Sequence, residues 1–141
     1  MLLSLLIFLP TVFALAVTVW PQKSTVRHLA LAGAALEFLI SLVVFSQFDK
    51  SLPVAQLVEK RVWIQQFGIN YFLGIDGISL MLVMLTTFLT PIIILASWKS
   101  IDEKIKGFHA ALFVLQTAML GSFLALDAIL FYTFWELSLV P

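Results

Sequence analysis

Gly77 to Trp98 reads GISLMLVMLTTFLTPIIILASW, 22 residues without a single charged side chain. At 1.5 Å of rise per residue such a run makes a helix of ~33 Å, enough to cross a hydrocarbon layer of ~30 Å. A soluble domain has no interior large enough to bury many such helices on every side, so this stretch points to a bilayer as the solvent.

Similar runs lie on both sides of it. The first extends from about Met1 to Trp20 and contains Pro10, which removes the amide that would bond the Leu6 carbonyl and so predicts a kink. The second covers about Leu29 to Phe48, the fourth about Gly107 to Leu126, and the fifth begins at Ala128 and continues to Pro141. The 14 residues from Ala128 to Pro141 give ~21 Å of helix, short of the bilayer core. The expected architecture is therefore an all-α integral membrane protein, a multi-pass array of about five spans with the last incomplete. A fragment of a longer protein explains the short fifth run better than a re-entrant helix does.

Composition agrees with that class. Of 141 residues, 62% are hydrophobic and 11% charged, and the mean hydropathy is +1.08, against roughly 25% charged residues in an ordinary soluble domain. The net charge is zero and no basic cluster stands out, so nucleic-acid binding has no electrostatic support. Cysteine is absent, which excludes disulfides, thiolate metal sites and iron–sulfur ligation by this chain. The two histidines, His28 and His109, belong to separate runs, and no metal site is expected. His109, near the start of the fourth run, reads as an interfacial, hydrated side chain. No nucleotide loop, nucleophile triad or hydride-transfer fingerprint occurs.

Lysine and arginine set the expected orientation. Lys23, Arg27, Lys99, Lys104 and Lys106 fall in short loops on one side; Lys50, Lys60 and Arg61 fall in the loop 49–76, beside Asp49 and Glu59. Five against three places the N-terminus outside. Ala14-Leu15-Ala16 resembles a signal-peptide cleavage site, but no positive residue precedes the apolar stretch and Pro10 interrupts it, so an uncleaved span is expected. The long loop carries Trp63, Phe67, Tyr71 and Phe72, and Val62 to Tyr71 around Gly68 suggests a short hairpin or an interfacial segment. Asp76, just before Gly77, suits a helix N-cap, and Asp102 to Lys106 would pair across one solvated turn.

Two acids interrupt the apolar runs. Glu136 lies ~12 Å along the fifth, near mid-depth, where a carboxylate costs roughly 2.5–3.5 kcal/mol on insertion scales unless it is neutral, paired or hydrated. Tyr132 and Thr133, four and three residues earlier, share its helical face. Burial favours a neutral carboxyl and a neighbouring lysine favours a carboxylate, so the charge of such a group follows its partner's. That is proton-carrier chemistry; the alternative is a neutral carboxyl bonding a neighbouring helix. Glu37, in the second run, has only Ser41 as a polar companion within a turn, while Ala30, Gly33 and Ala34 allow close helix approach, so packing and function are both open there. In the third run, Pro91 frees the Thr87 carbonyl beside Thr86 and Thr90, which suggests a threonine-assisted kink.

Two motifs carry a resemblance. Gly74-Ile75-Asp76-Gly77-Ile78-Ser79-Leu80, followed by Leu85-Thr86-Thr87-Phe88-Leu89-Thr90-Pro91, and then Phe131-Tyr132-Thr133-Phe134-Trp135-Glu136-Leu137-Ser138-Leu139-Val140-Pro141, resemble the third and fifth helices of the antiporter-like membrane subunits of respiratory NADH:quinone oxidoreductase (complex I), most closely the bacterial subunit M branch. The resemblance implies that residues 1–141 are the N-terminal membrane segment of a longer proton-translocating subunit, with Glu136 as the key acid, paired with a lysine on a later helix. It implies a bacterial inner membrane, other complex I membrane subunits and the lipid bilayer as partners, and no cofactor on this chain. NADH, FMN, iron–sulfur clusters and quinone would lie in the wider complex. The rival readings are a subunit of a related multi-subunit cation/proton antiporter or membrane hydrogenase, and a non-catalytic membrane scaffold. An intramembrane lysine on a later helix would separate translocation from scaffolding.

Overall fold

A computed structural model describes residues 2–49, 51, 54–100 and 103–141. Five helices follow in chain order: α1 (Leu2–Val19), α2 (Lys23–Gln47), α3 (Gly77–Ala96), α4 (Ile105–Leu124) and α5 (Ala128–Ser138). Between α2 and α3 lies an antiparallel hairpin, β1 (Gln56–Ile64) and β2 (Ile69–Ile75), joined by a single 3-10 turn at Gln65–Phe67. Among the described residues α1 to α4 are long and apolar enough to cross a membrane. Asp102 lies outside the described residues, as does Lys50, so the Asp102–Lys106 pair and the Lys50 contribution to charge asymmetry have no structural counterpart here.

The hairpin joins α2 to α3 and short connections join the other helices, which pack antiparallel, α1 against α4 and α2, α3 against α2 and α4, and α5 against α4. Two apolar clusters fill the bundle, one toward each end. Toward the hairpin, Leu3, Leu6 and Ile7 of α1 meet Val44, Val83, Leu120 and Leu124. Toward the other end, Ala14 and Val17 meet Ala30, Ala34, Ile94 and Phe113. The small residues of α2 allow that second contact: a Cβ at Gly33 would fall 2.7 Å from the Phe13 ring. At that same end Trp20 donates from its indole to Thr25 at 2.6 Å, and His28 meets the Trp98 ring edge-on at 5.1 Å. Such amphipathic rings suit a membrane interface.

The hairpin is built from local signals. Gly68 takes φ +66°, the left-handed conformation that closes the turn. At the other end of β1 a register shift between Gln56 and Glu59, with Leu57 at φ +53°, inserts an extra residue and re-aims the strand. Glu59 then reaches the start of α1, where its carboxylate accepts from the Leu3 and Ser4 amides at 2.9 and 3.1 Å. The first amides of a helix have no internal partner, and an acid from another element satisfies them here. The Ser4 hydroxyl also donates to Glu59 and lies 2.7 Å from the Tyr71 phenol.

Asp76 ends the hairpin and opens α3. Its carboxylate accepts from the Ser79 amide at 2.8 Å, and the Ser79 hydroxyl accepts from the Asp76 amide at 2.8 Å, a reciprocal capping pair.

Candidate functional site

Helix α5 is placed from two directions. Asp127 caps it, accepting from the Ile129 and Leu130 amides at 2.9 and 3.3 Å, and also accepts from the Asn70 amide of β2 at 3.2 Å. The Leu126 amide donates to the Phe72 carbonyl at 2.8 Å, and Leu73 pairs with Ala125 as an isolated bridge. The hairpin thus pins the turn from which α5 departs. The bond from the Asn70 amide, with those from Leu130 and Ile129, holds the Asp127 carboxyl below the usual carboxylate range against the opposing effect of desolvation.

Further along, Leu130 and Phe134 bury the inner face of α5. Phe134 lies against Gly121 of α4 and 6.3 Å from the Phe8 ring of α1. Gly121 and Ser122 are therefore interior to α4, and the α4–α5 turn is Ala125 to Asp127.

Glu136 sits on the opposite, outward face of α5, with the exposed Tyr132 one turn before it on the same face. Thr133 is also exposed, but its hydroxyl donates to the Ile129 carbonyl at 2.8 Å, and it borders a groove shared with Phe8, Arg61, Trp63 and Tyr71. So Tyr132 and Glu136 come together, while the Thr133 hydroxyl is spent on its own backbone.

Glu37 is elsewhere. It is 1% exposed on the inner face of α2, between the two apolar clusters. That level of the bundle is a polar layer. Ser41 donates to the Phe38 carbonyl at 2.6 Å and accepts from Thr87 at 2.9 Å; Thr11 and Thr117 bond across α1 and α4 at 2.8 Å; Thr90 donates to the Thr86 carbonyl at 2.9 Å. Gln116 of α4, 2% exposed, is the residue that sequence reasoning missed. Its signal was available, as the one carboxamide in the middle of the fourth apolar run. Neither Glu37 oxygen and neither polar atom of the Gln116 carboxamide has a hydrogen-bond partner among the described residues.

His109 differs from the hydrated interfacial residue expected. It is 2% exposed, with Nδ1 2.8 Å from the Ile105 carbonyl and the Phe108 ring edge-on at 5.1 Å. The helix begins four residues earlier, at Ile105, which turns His109 into the bundle. The Thr86 and Thr87 hydroxyls donate to the Leu82 and Val83 carbonyls rather than to the Thr87 carbonyl that Pro91 frees. Among the described residues no three His, Cys, Asp or Glu side chains form a group able to hold a metal ion.

An antiparallel array of apolar helices, strapped at one end by a hairpin and carrying one acid midway along α2 and another near the end of α5, defines a multi-pass membrane protein. Comparison with known proteins gives the family. Residues 2–127 match the family model described as NADH-ubiquinone oxidoreductase chain 4, amino terminus. The chain is 40% identical to NADH-quinone oxidoreductase subunit M of Rhodobacter capsulatus over 99% of its length and 28% of that protein's. It is 36% identical to F(420)H(2) dehydrogenase subunit M of Methanosarcina mazei, over 98% of its length and 28% of that protein's. A chain of respiratory complex I from Thermus thermophilus superimposes with a TM-score of 0.82 at 25% identity, covering all of this chain and 27% of that one. The chain belongs to the NADH-ubiquinone oxidoreductase chain 4 family, and it spans just over a quarter of the length of these relatives.

Proposed function

We propose that residues 1–141 form the N-terminal membrane segment of a proton-translocating subunit of a NADH:quinone oxidoreductase, and that Glu136 is its proton-carrying acid. The observation that carries this reading is a carboxylate about 12 Å along α5, in a chain of this family, on a helix fixed at its base by the hairpin and at its middle by Phe134. An acid at that depth is costly and marks ion and proton paths. Because Glu136 faces away from the bundle, its counter-charge comes from another helix, and approach or withdrawal of a cation there shifts the carboxyl between its charged and neutral forms. Tyr132, one turn earlier on the same face of α5, supports the acid.

Electron chemistry belongs to other subunits. NADH, FMN, iron–sulfur clusters and quinone bind there, and a chain without cysteine has no thiolate ligand to offer a cluster. The partners are the other membrane subunits of the complex and the bilayer, not nucleic acid. The location is the bacterial inner membrane with the N-terminus outside, supported by Lys23, Arg27, Lys99, Lys104 and Lys106 gathering at the end of the bundle remote from the hairpin. The methanogen relative takes its name from a different dehydrogenase, so what these relatives share over this segment is the membrane array rather than the electron donor.

Glu136→Gln in the complete subunit tests the reading. The complex assembles and oxidises NADH, and the proton-to-electron ratio falls; an unchanged ratio overturns it.

A further inference from the structure

The polar layer between the two apolar clusters has a composition that packing alone does not explain. Four helices contribute to it: Thr11 from α1, Glu37 and Ser41 from α2, Thr87 and Thr90 from α3, Gln116 and Thr117 from α4. The helix pairs are already bonded there, α2 to α3 through Ser41 and Thr87, and α1 to α4 through Thr11 and Thr117. Glu37 and Gln116 take no part in those bonds, yet both are almost fully buried. A carboxyl serving only as interhelical glue has its partner in place.

Backbone breaks coincide with the layer. Pro10 immediately precedes Thr11 and Pro91 immediately follows Thr90, so two of the four helices lose a backbone bond at this depth. Interrupted helices in membranes are tolerated where freed carbonyls line a polar site. Glu37 lies near the middle of α2, about 21 Å from its Lys23 end and about 15 Å from its Gln47 end.

We propose that Glu37 is a second intramembrane proton-binding site, distinct from Glu136, with the Gln116 carboxamide as its polar companion across the layer. The carboxylate takes up one proton to become the acid and returns it as the same group; no other bond changes. Among the described residues no fixed charge stands beside it. Among the described residues α1 and α3 carry no ionisable side chain, and the nearest on α4 is His109, seven residues from Gln116. On α2 itself the nearest is His28, nine residues from Glu37, with Arg27 one residue beyond. With no lysine at hand the neutral form is the resting one. Glu136 is the opposite case, an outward acid awaiting a cation from another helix.

Infrared spectroscopy of the assembled complex, as wild type and variants, tests this. A protonated carboxyl absorbs in the carboxylic-acid C=O region, apart from carboxylates and amides. The expected result is a band present in the wild type and in Glu136→Gln, absent in Glu37→Gln, moving on transfer to D₂O, and displaced in Gln116→Leu. Persistence of the full set of bands in Glu37→Gln, or a Glu37 band that D₂O leaves in place, overturns the proposal. Should Glu37→Gln fail to assemble, Gln116→Leu retains the acid, and an undisplaced band there overturns the pairing. Because the band is read in Glu136→Gln as well, the outcome is independent of whether Glu136 carries the pumped proton.

Discussion

Phe134 of α5 lies so close over Gly121 of α4 that a Cβ on the glycine would come within 2.4 Å of its ring. No side chain fits between them. The Phe134 ring packs directly on the α4 backbone there, with the Phe8 ring of α1 6.3 Å from it between centroids, and Glu136 follows two residues later.

Gly121→Val should therefore move α5 rather than merely crowd it. Overpacking of this kind costs about 1–3 kcal/mol, and the displaced helix should lower the proton-to-electron ratio of the assembled complex. Adding Phe134→Ala makes room for the valine, so the double variant should be more stable to heating in detergent than the sum of the two single losses predicts.

The two hydroxyls near Glu136 should behave differently. Tyr132→Phe removes the phenol that shares the Glu136 face of α5, and it should reduce pumping, though less than Glu136→Gln does. Thr133→Val removes a hydroxyl already donated to the Ile129 carbonyl, and pumping should hardly change. Proton-to-electron ratios of the two variants, measured side by side, check the distinction.

Glu59 gives the hairpin an acid-sensitive fastening. Partial burial raises its carboxyl, but the lowering effects, led by bonds from the Ser4 hydroxyl and amide, together outweigh that, and the group sits below the ordinary glutamate range. A depressed carboxylate contributes stability above its unfolded value and loses it as pH falls through the folded one. Protease sensitivity of the hairpin should therefore rise as pH drops below the ordinary glutamate range. In Glu59→Ala the sensitivity should be high at neutral pH and no longer change over that interval.

The cap on α3 should be worth about 1 kcal/mol, the usual cost of removing an N-cap acid. Asp76→Ala and Ser79→Ala each break one half of a reciprocal pair, so the double variant should lose less than the sum of the singles. Helix loss on heating, followed by circular dichroism, measures it.

Much of this architecture was legible because its signals are local. Gly77 to Trp98 declares a membrane helix by length and polarity alone, Asp76 caps it, and Gly68 marks the hairpin turn. What remained hidden depends on residues far apart in the chain. Glu59 read only as a loop charge, because the α1 amides it satisfies are 55 and 56 positions away. The close crossing at Gly121 was not legible either, because glycine signals a turn and a close helix crossing equally well. Of the site, Glu37 and Glu136 stood out from their apolar runs. Which of them faces into the bundle was not legible, since a helical wheel fixes which residues share a face but not which neighbour that face meets.

The bonds from β2 to the α4–α5 turn, Asn70 to Asp127 and Leu126 to Phe72, carry one last implication. On the proposed function they hand control of the α5 acid to residues at the end of the bundle. An antibody fragment, a bound ion or a neighbouring subunit that tugged on this strap could retune the acid from outside, without ever entering the membrane.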